Sequence, residues 1–494
     1  MQETSNTNQP SIKKNFALST AYQILAVLTP FITAPYVSRV LGANGIGIYS
    51  YTNSIQMYFS LFAALGIASY GNREIARKRD SAEERSKAFW EIQILKFFTS
   101  FICLLGWGVF IYFNEQYRIV YLVLTMSLFS IMFDISWFYT GLEQFVHIVA
   151  RNTIVRLLEL VLLFVLIRDK DDLVLYIALM STGTLLGSLS MWISLPKFLV
   201  RVDAKAFKFK HHLKETIVYF VPTIASSIYT VLDKTLIGVI THNENENGYY
   251  EQANKILGIV KALVYGSLNS VLGSRIAYLF EEKKHEEIKQ RIELSMNFIF
   301  FMGFGCCFGI IGIASNFVPL FFGAGYKPVI FLLQLLSPVV LIIGISNCLG
   351  SQYYTPAGLR GKSSIFIVIG SVVNIICNLI LIPKLQSVGA AIGTLIAESL
   401  IAILYLIFCD GYFTIRQFVK CGWKKLLSAI VMLLVVLFVG RMELNPLLLI
   451  IIQIFAGAAV YCICLILLKD SFTHDFLFKR IKSKIVNKIE SKEK

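Results

Sequence analysis

Charge is scarce in this sequence: Asp, Glu, Lys and Arg make up 16% of its 494 residues, against 56% hydrophobic residues. Together with a mean hydropathy of +0.66, that excludes an ordinary set of water-soluble domains. Once runs long enough to cross a bilayer are set aside, about 20 residues each, no stretch beyond roughly 30 residues is left over. A separate soluble catalytic domain is therefore excluded. Metal chemistry also lacks its usual signatures. The nine cysteines, at 103, 306, 307, 348, 377, 409, 421, 462 and 464, show no CxxC or Cys/His spacing, and the six histidines form no HExxH and no clustered pair within a span. The cysteines read as small core hydrophobes, and His147 as a packing residue at the inner end of the fifth span. The polar opening, residues 1–16, leads into a full-length apolar run, which argues against a cleaved secretory signal.

What is present is a series of fourteen apolar runs between residues 17 and 468, predicting an all-α integral membrane protein with about 14 transmembrane helices. The 46 Lys and Arg outnumber the 31 Asp and Glu. In a soluble chain this excess would suggest nucleic acid; here its distribution decides. With the N-terminus inside, inner segments carry 33 basic residues and outer segments 6. The positive-inside rule then places both termini in the cytoplasm and removes the case for nucleic acid.

Residues 197–214, a basic amphipathic connector after six spans, divide the chain into an N-terminal six-helix bundle (17–196) and a C-terminal one (215–409). Residues 424–468 add helices 13 and 14. A cytoplasmic tail at 1–16 and a basic amphipathic tail at 469–494 complete the map, the latter suited to lie on anionic membrane lipid. Two short echoes support a repeat. Gly47, Tyr49, Asn53 and Ile55 align with Gly248, Tyr250, Asn254 and Ile256, while Tyr139-Thr-Gly141-Leu142 resembles Tyr354-Thr355 with Gly358-Leu359. An even number of spans per half makes the repeat parallel, with a cleft expected between the halves.

Charges inside spans cost about 2.5–3.5 kcal/mol each on insertion scales, so they are functional candidates by default. Arg39, Lys96, Asp134, Arg151, Arg156 and Glu159 lie in the first half, and Asp233, Lys234, Glu251, Lys255, Lys261 and Glu398 in the second. Asn152, Arg156 and Glu159 share one helical face, so Arg156 and Glu159 can pair or line a cavity together. Thr223, Ser226, Ser227 and Thr230 form a polar stripe leading to Asp233 and Lys234. A polar track is expected from Asp134 and Arg151 through Arg156 and Lys261 to Arg39, Asp233, Lys234 and Lys255. Guanidinium and ammonium groups on such a track suit an anionic cargo. Lys96, Glu251 and Lys255 are close enough to span ends to snorkel instead. Asn374 and Asn378 read as interhelical hydrogen-bonding glue, and Pro30, Pro35 and Pro222 as loosening the first helix of each half.

Leu28-Thr-Pro30-Phe-Ile-Thr-Ala-Pro35-Tyr-Val-Ser-Arg39-Val-Leu-Gly42, Asp134-Ile-Ser-Trp137-Phe-Tyr-Thr-Gly141-Leu-Glu143, Leu232-Asp233-Lys234 and Gly389-Ala-Ala-Ile-Gly-Thr394 follow one another along nearly the whole chain. In these segments it resembles the polysaccharide transporter, or oligosaccharide flippase, family of the multidrug/oligosaccharidyl-lipid/polysaccharide exporter superfamily. The resemblance implies two pseudo-symmetric six-helix bundles around a central cavity. They would rock to move an undecaprenyl-diphosphate-linked sugar repeat unit across the bacterial plasma membrane, coupled to H+ or Na+ or to membrane potential and needing no other cofactor. Arg39, Arg151, Arg156, Lys234, Lys255 and Lys261 are then expected to bind substrate, and Asp134, Glu159 and Asp233 to serve ion coupling or gating. Expected partners are the lipid-linked oligosaccharide, a polysaccharide polymerase and glycosyltransferases, around a monomeric transporter. The alternative is a cation-coupled drug or metabolite exporter, which would favour acidic cavity residues over basic ones. A membrane glycosyl polymerase or ligase would need an outer platform, and the longest outer loop, 241–248, is too short to provide it.

Overall fold

Hydrocarbon offers backbone amides no partner, so each crossing must satisfy its own hydrogen bonds, as helices do. A computed structural model describes the backbone of residues 12–203, 207 and 209–474, and among these no strand occurs. Residues 1–11 and 475–494, with most of the expected surface helix, lie outside the described residues. So do the side chains of His147 and of the Thr223–Thr230 stripe.

The first compact unit, residues 1–248, contains α1 (Ile12–Ala64), α2 (Ile67–Arg77), α3 (Ala82–Phe113), α4 (Arg118–Phe133), α5 (Ser136–Gly141), α6 (Phe145–Leu166), α7 (Leu173–Ser194) and α8 (Phe209–Thr241). The second, residues 249–494, contains most of α9 (Glu244–Glu281), then α10 (His285–Phe322), α11 (Lys327–Leu336), α12 (Pro338–Leu349), α13 (Arg360–Ile407), α14 (Ile415–Val439), α15 (Pro446–Leu467) and the short α16 (Ser471–His474). Every one of the fourteen expected spans falls on helix. Two spans share α1, which runs through Pro30 and Pro35 and turns at Gly42 (φ 69°, ψ 177°). Two more share α13, broken at Gln386 (φ 53°, ψ −130°).

Among the described residues, seven helices are long and apolar enough to cross a bilayer, or eight with the bent α11–α12 pair. Among the other long helices, α6 carries Arg151, Arg156 and Glu159 within 22 residues, too much charge for that criterion. The helices α1, α6, α8 and α9 carry eight of the nine candidate site residues, all but Asp134.

Within the first unit, α8 packs against α1, α2 and α3, so this unit extends past the expected connector at 197–214. That connector is not a plain solvated linker. The Arg85 guanidinium donates to the Phe198 carbonyl (2.8 and 3.2 Å) and the Val200 amide to Ser86 Oγ (2.9 Å), while residues 209–214 already belong to α8. The expected loop at 241–248 is shorter still. Only His242 and Asn243 separate α8 from α9, and Asn243 Oδ1 accepts the Asn245 amide.

The Tyr139 echo is structural. The Gln144 amide donates to the Tyr139 carbonyl (2.9 Å) and Glu143 to Thr140 (3.0 Å); at the equivalent positions Leu359 donates to Tyr354 (2.8 Å) and Gly358 to Thr355 (3.2 Å). Both are the paired 6→1 and 5→2 bonds of a Schellman ending, with a left-handed residue at Glu143 (φ 58°) and Gly358 (φ 76°). Each tyrosine hydroxyl then donates to a carbonyl of a later helix, Tyr139 to Met191 and Tyr354 to Tyr405. Gly358 thus matches Glu143, not Gly141 as the gapped alignment of the echo had it.

In the second unit, α10, α14 and α15 pack together. Lys425, counted with the inner loop charges, is instead fully buried and lies 3.1 Å from Asp470. Asn378 Nδ2 donates to Asn374 Oδ1 (3.2 Å), and Asn378 Oδ1 is seated against Gly393, where a Cβ would lie 2.4 Å away. The pair therefore joins the two arms of α13.

Candidate functional site

The fourth expected span breaks between α4 and α5, which strands the last carbonyls of α4 in an apolar setting. Three side chains from neighbouring helices satisfy them. Gln93 Nε2 donates to the Met132 carbonyl (2.9 Å), Trp192 Nε1 to Phe133 (2.7 Å) and Lys96 Nζ to Asp134. The Asp134 carboxylate closes the break from the other side, accepting the Ser136 amide (3.2 Å) and hydroxyl (2.9 Å). Lys96 is 3% exposed and its ammonium is 4.0 Å from the Asp134 carboxylate. It does not snorkel; it caps a helix end.

Asp134 also draws in Arg151, whose Nη1 lies 3.8 Å from Oδ1. The same guanidinium donates to Asn152 Oδ1 and, at 3.4 Å, to the Gly187 carbonyl. One helical turn further along α6, Arg156 acts electrostatically on Glu159, as their shared face predicted. Glu159 has a seat that the sequence did not suggest. A Cβ on Gly183 would stand 2.1 Å from Glu159 Oε1, so the missing side chain is what lets the carboxylate lie against α7.

These groups line one cavity of about 450 Å³, within the range of small-molecule sites. It holds Lys96, Asp134, Arg151, Arg156 and Glu159 together, three cations with two carboxylates. Hydroxyls complete its wall. Ser130 Oγ and Ser188 Oγ are 2.9 Å apart and Ser130 also donates to the Thr184 carbonyl (3.1 Å). Sequence reasoning passed over these serines and threonines. Their three- and four-residue spacing on the fourth and sixth spans, with Ser127 bonded to Ser181, was the available signal.

The remaining candidates are not in this cavity. Arg39 is exposed on α1. Asp233 and Lys234 lie on α8, with Asp233 5% exposed and close enough to Tyr58 to act on it. Lys255 and Lys261 belong to the second unit, where Glu398 is the charge nearest in effect to Lys261 and to Tyr265.

A family model described as "Polysaccharide biosynthesis protein" matches residues 12–273, and one described as "Lipid II flippase MurJ" matches residues 152–460. The chain is 22% identical over 417 residues to a protein named "Putative O-antigen transporter" of Escherichia coli (strain K12), covering 82% of this chain and 98% of that one. The fold resembles the lipid II flippase MurJ in its inward closed conformation (TM-score 0.71, 19% identity, 94% of this chain and 99% of the other). It is more distantly like an inward-facing multidrug transporter of the MATE family (TM-score 0.56, 13% identity, 83% and 98%). The chain belongs to the polysaccharide biosynthesis protein family.

Proposed function

We propose that this protein is a flippase that moves undecaprenyl-diphosphate-linked oligosaccharide repeat units from the inner to the outer leaflet of the bacterial plasma membrane, supplying a surface polysaccharide such as capsule, O-antigen or exopolysaccharide. The observation that carries the reading is the cavity inside the first unit. It places the cations of α3 and α6 beside a wall of hydroxyls and carboxylates, which suits sugar hydroxyls and phosphate oxygens at once. Arg156 and, in the second unit, Lys261 are the residues proposed to meet the diphosphate, with Arg39, Lys234 and Lys255 guiding it outward. Asp134, Glu159 and Asp233 are proposed to take up the coupling ion. Asp134 does so while also holding the α4–α5 break, so its titration would be felt by the backbone there. Access would alternate between the two sides of the membrane while the prenyl chain stays in lipid, with both termini cytoplasmic and no covalent chemistry performed.

Basic groups outnumber acidic ones in the cavity, which favours this cargo over the cations a multidrug exporter carries. Purified protein in vesicles should translocate a lipid-linked oligosaccharide; failure to move any such lipid, with the protein folded and correctly inserted, would refute the reading.

A further inference from the structure

A second buried polar cluster lies outside the cavity. His212, in the first turn of α8, is 2% exposed; Glu91 of α3 is 3% and Tyr70 of α2 is 4%. His212 Nε2 is 2.7 Å from Glu91 Oε2 and Nδ1 is 2.6 Å from the Tyr70 hydroxyl. Both ring nitrogens are engaged, each with a group from a different helix. The imidazole therefore ties α8 to α2 and α3 at the point where the chain leaves the 197–214 connector. The sequence offered no hint of this: the three residues are scattered over 142 positions, and His212 sits in a stretch that reads as solvated.

The chemistry suits a proton. With His212 neutral, Tyr70 O–H donates to Nδ1 and Nε2–H donates to the Glu91 carboxylate, so every group is satisfied. A proton added at Nδ1 makes that nitrogen a donor to the Tyr70 oxygen, and the hydroxyl hydrogen turns away. The Nε2 contact becomes an ion pair with Glu91 in a nearly water-free site, where charge-assisted bonds are strongest. The surroundings are mixed in sign. From α2, Arg73 donates to Tyr219 on α8, and Glu74 and Arg77 act on Tyr70; from α8 itself come His211 and Glu215. Burial alone would push the Glu74 carboxyl up, but the Lys78 ammonium 2.7 Å away and Arg77 outweigh it and hold Glu74 below its ordinary range. Glu74 therefore stays ionised beside the cluster and offers it a second negative charge. His211 is exposed next to His212, which gives the site a route to water.

We propose that Glu91, His212 and Tyr70 form a proton-binding switch, separate from the cavity carboxylates, that sets how transport responds to a proton gradient. Protonated His212 clamps the first turn of α8 onto α2 and α3, and loss of the proton to water relaxes the clamp to neutral hydrogen bonds so that α8 can move. This proposal rests on the flippase reading for its transport consequence, but not for the existence of the site.

The test uses the full-length protein with His212→Gln, which keeps a donor and an acceptor but cannot take a proton, and His211→Gln as the exposed control. In vesicles carrying lipid-linked oligosaccharide, an imposed pH gradient should change the rate for the wild type and for His211→Gln. His212→Gln should keep its rate without a gradient and lose the response. A second measurement needs no substrate: the dependence of the thermal midpoint on pH should be the same in the wild type and in His211→Gln and weaker in His212→Gln. A gradient response and a pH profile in His212→Gln equal to those of the wild type would overturn the proposal. If no protein translocates any lipid, the flippase reading fails while the midpoint comparison still decides the proton site.

Discussion

Gly47 faces the backbone carbonyl of Glu244 so closely that a Cβ would stand 1.6 Å from its oxygen, and Gly248 faces the Ala43 carbonyl in the same way, at 2.0 Å. The two contacts exchange partners under one shift of numbering, 47 to 248 and 43 to 244, the shift by which the first sequence echo aligns. The start of α9 thus meets the Gly42–Gly47 segment of α1 as a two-fold pair. Asn44 adds a hydrogen bond to the Glu244 carboxylate (3.4 Å).

Because backbone blocks both positions, no rotamer change can make room for a methyl group. Gly47→Ala and Gly248→Ala should each force the two segments apart, at a cost of about 1–3 kcal/mol typical of overpacking. On the charge-based topology this contact lies on the outer side. A cysteine at Asn44 should then react several-fold faster with a membrane-impermeant thiol reagent in either alanine variant; unchanged labelling would mean that the contact does not hold that side closed.

Gly183 makes a different prediction, since what blocks its Cβ is the mobile end of Glu159. Gly183→Ala should fold normally and displace the carboxylate from α7, away from its place beside Arg156. Surface polysaccharide in a strain depending on this protein should fall about tenfold, a loss of 1.4 kcal/mol of productive interaction, at unchanged protein abundance. Gly187→Ala is the control, because its Cβ would meet Val155 at an ordinary 3.4 Å.

Hydrophobic patterning made the helices legible, and the breaks inside α1 and α13 fell where the span boundaries had been drawn, because Gly42 and the Pro383–Gln386 segment interrupt the apolar runs. The charge pattern also singled out residues that meet in space: Arg151, Arg156 and Glu159 line one cavity with Asp134, whereas the other five candidates lie outside it. What the pattern could not convey was pairing across distance. Lys96 and Lys425 look alike in sequence to lysines that reach for water, and both are buried because a group far along the chain, the Asp134 carbonyl or the Asp470 carboxylate, takes up the ammonium. The Glu91–His212 contact is hidden for the same reason. Small residues were equally opaque, since Gly47 and Gly183 gain meaning only from the carbonyl and carboxylate that fill the missing side chain's place.

The Lys425–Asp470 pair ties α14 to the end of α15. Lys425 Nζ also donates to Asn297 Oδ1 (3.0 Å), and Asp470 accepts the Thr473 amide and hydroxyl (2.9 Å each). Burial pushes the Asp470 carboxyl up, but the Thr473 amide and the Lys425 ammonium outweigh it and hold the group below the ordinary carboxylate range. A depressed carboxylate stabilises the fold fully above its unfolded value, about pH 4, and that contribution is lost as pH falls through the lower folded value. Lys425→Met alone should destabilise by about 3–5 kcal/mol, as breaking a buried pair does, whereas Lys425→Met with Asp470→Leu should recover most of the loss. Thermal midpoints of the purified variants at pH 7 would check this; equal midpoints for the single and double variants would show that the charge left behind costs nothing.

Lys96 and Arg156 line the same cavity, yet their places in it predict opposite phenotypes. The Lys96 ammonium is committed to the Asp134 carbonyl at the broken end of α4, so Lys96→Met strands that carbonyl and removes a cation held near the Asp134 carboxylate. An unsatisfied buried polar group costs about 1–3 kcal/mol, and more when charged, and the loss should appear as a lower thermal midpoint and reduced protein in the membrane. Arg156 stands one turn beyond the Asp134–Arg151 contact, on the face shared with Glu159 and away from any helix break. Arg156→Met should lower the midpoint less than Lys96→Met does, because Arg156 is half-buried and caps no helix end, while lipid-linked oligosaccharide translocation drops at least tenfold. Should Arg156→Met instead lower the midpoint as Lys96→Met does, with transport per folded molecule intact, then Arg156 is a structural partner of Glu159 and the diphosphate must be met by other cations.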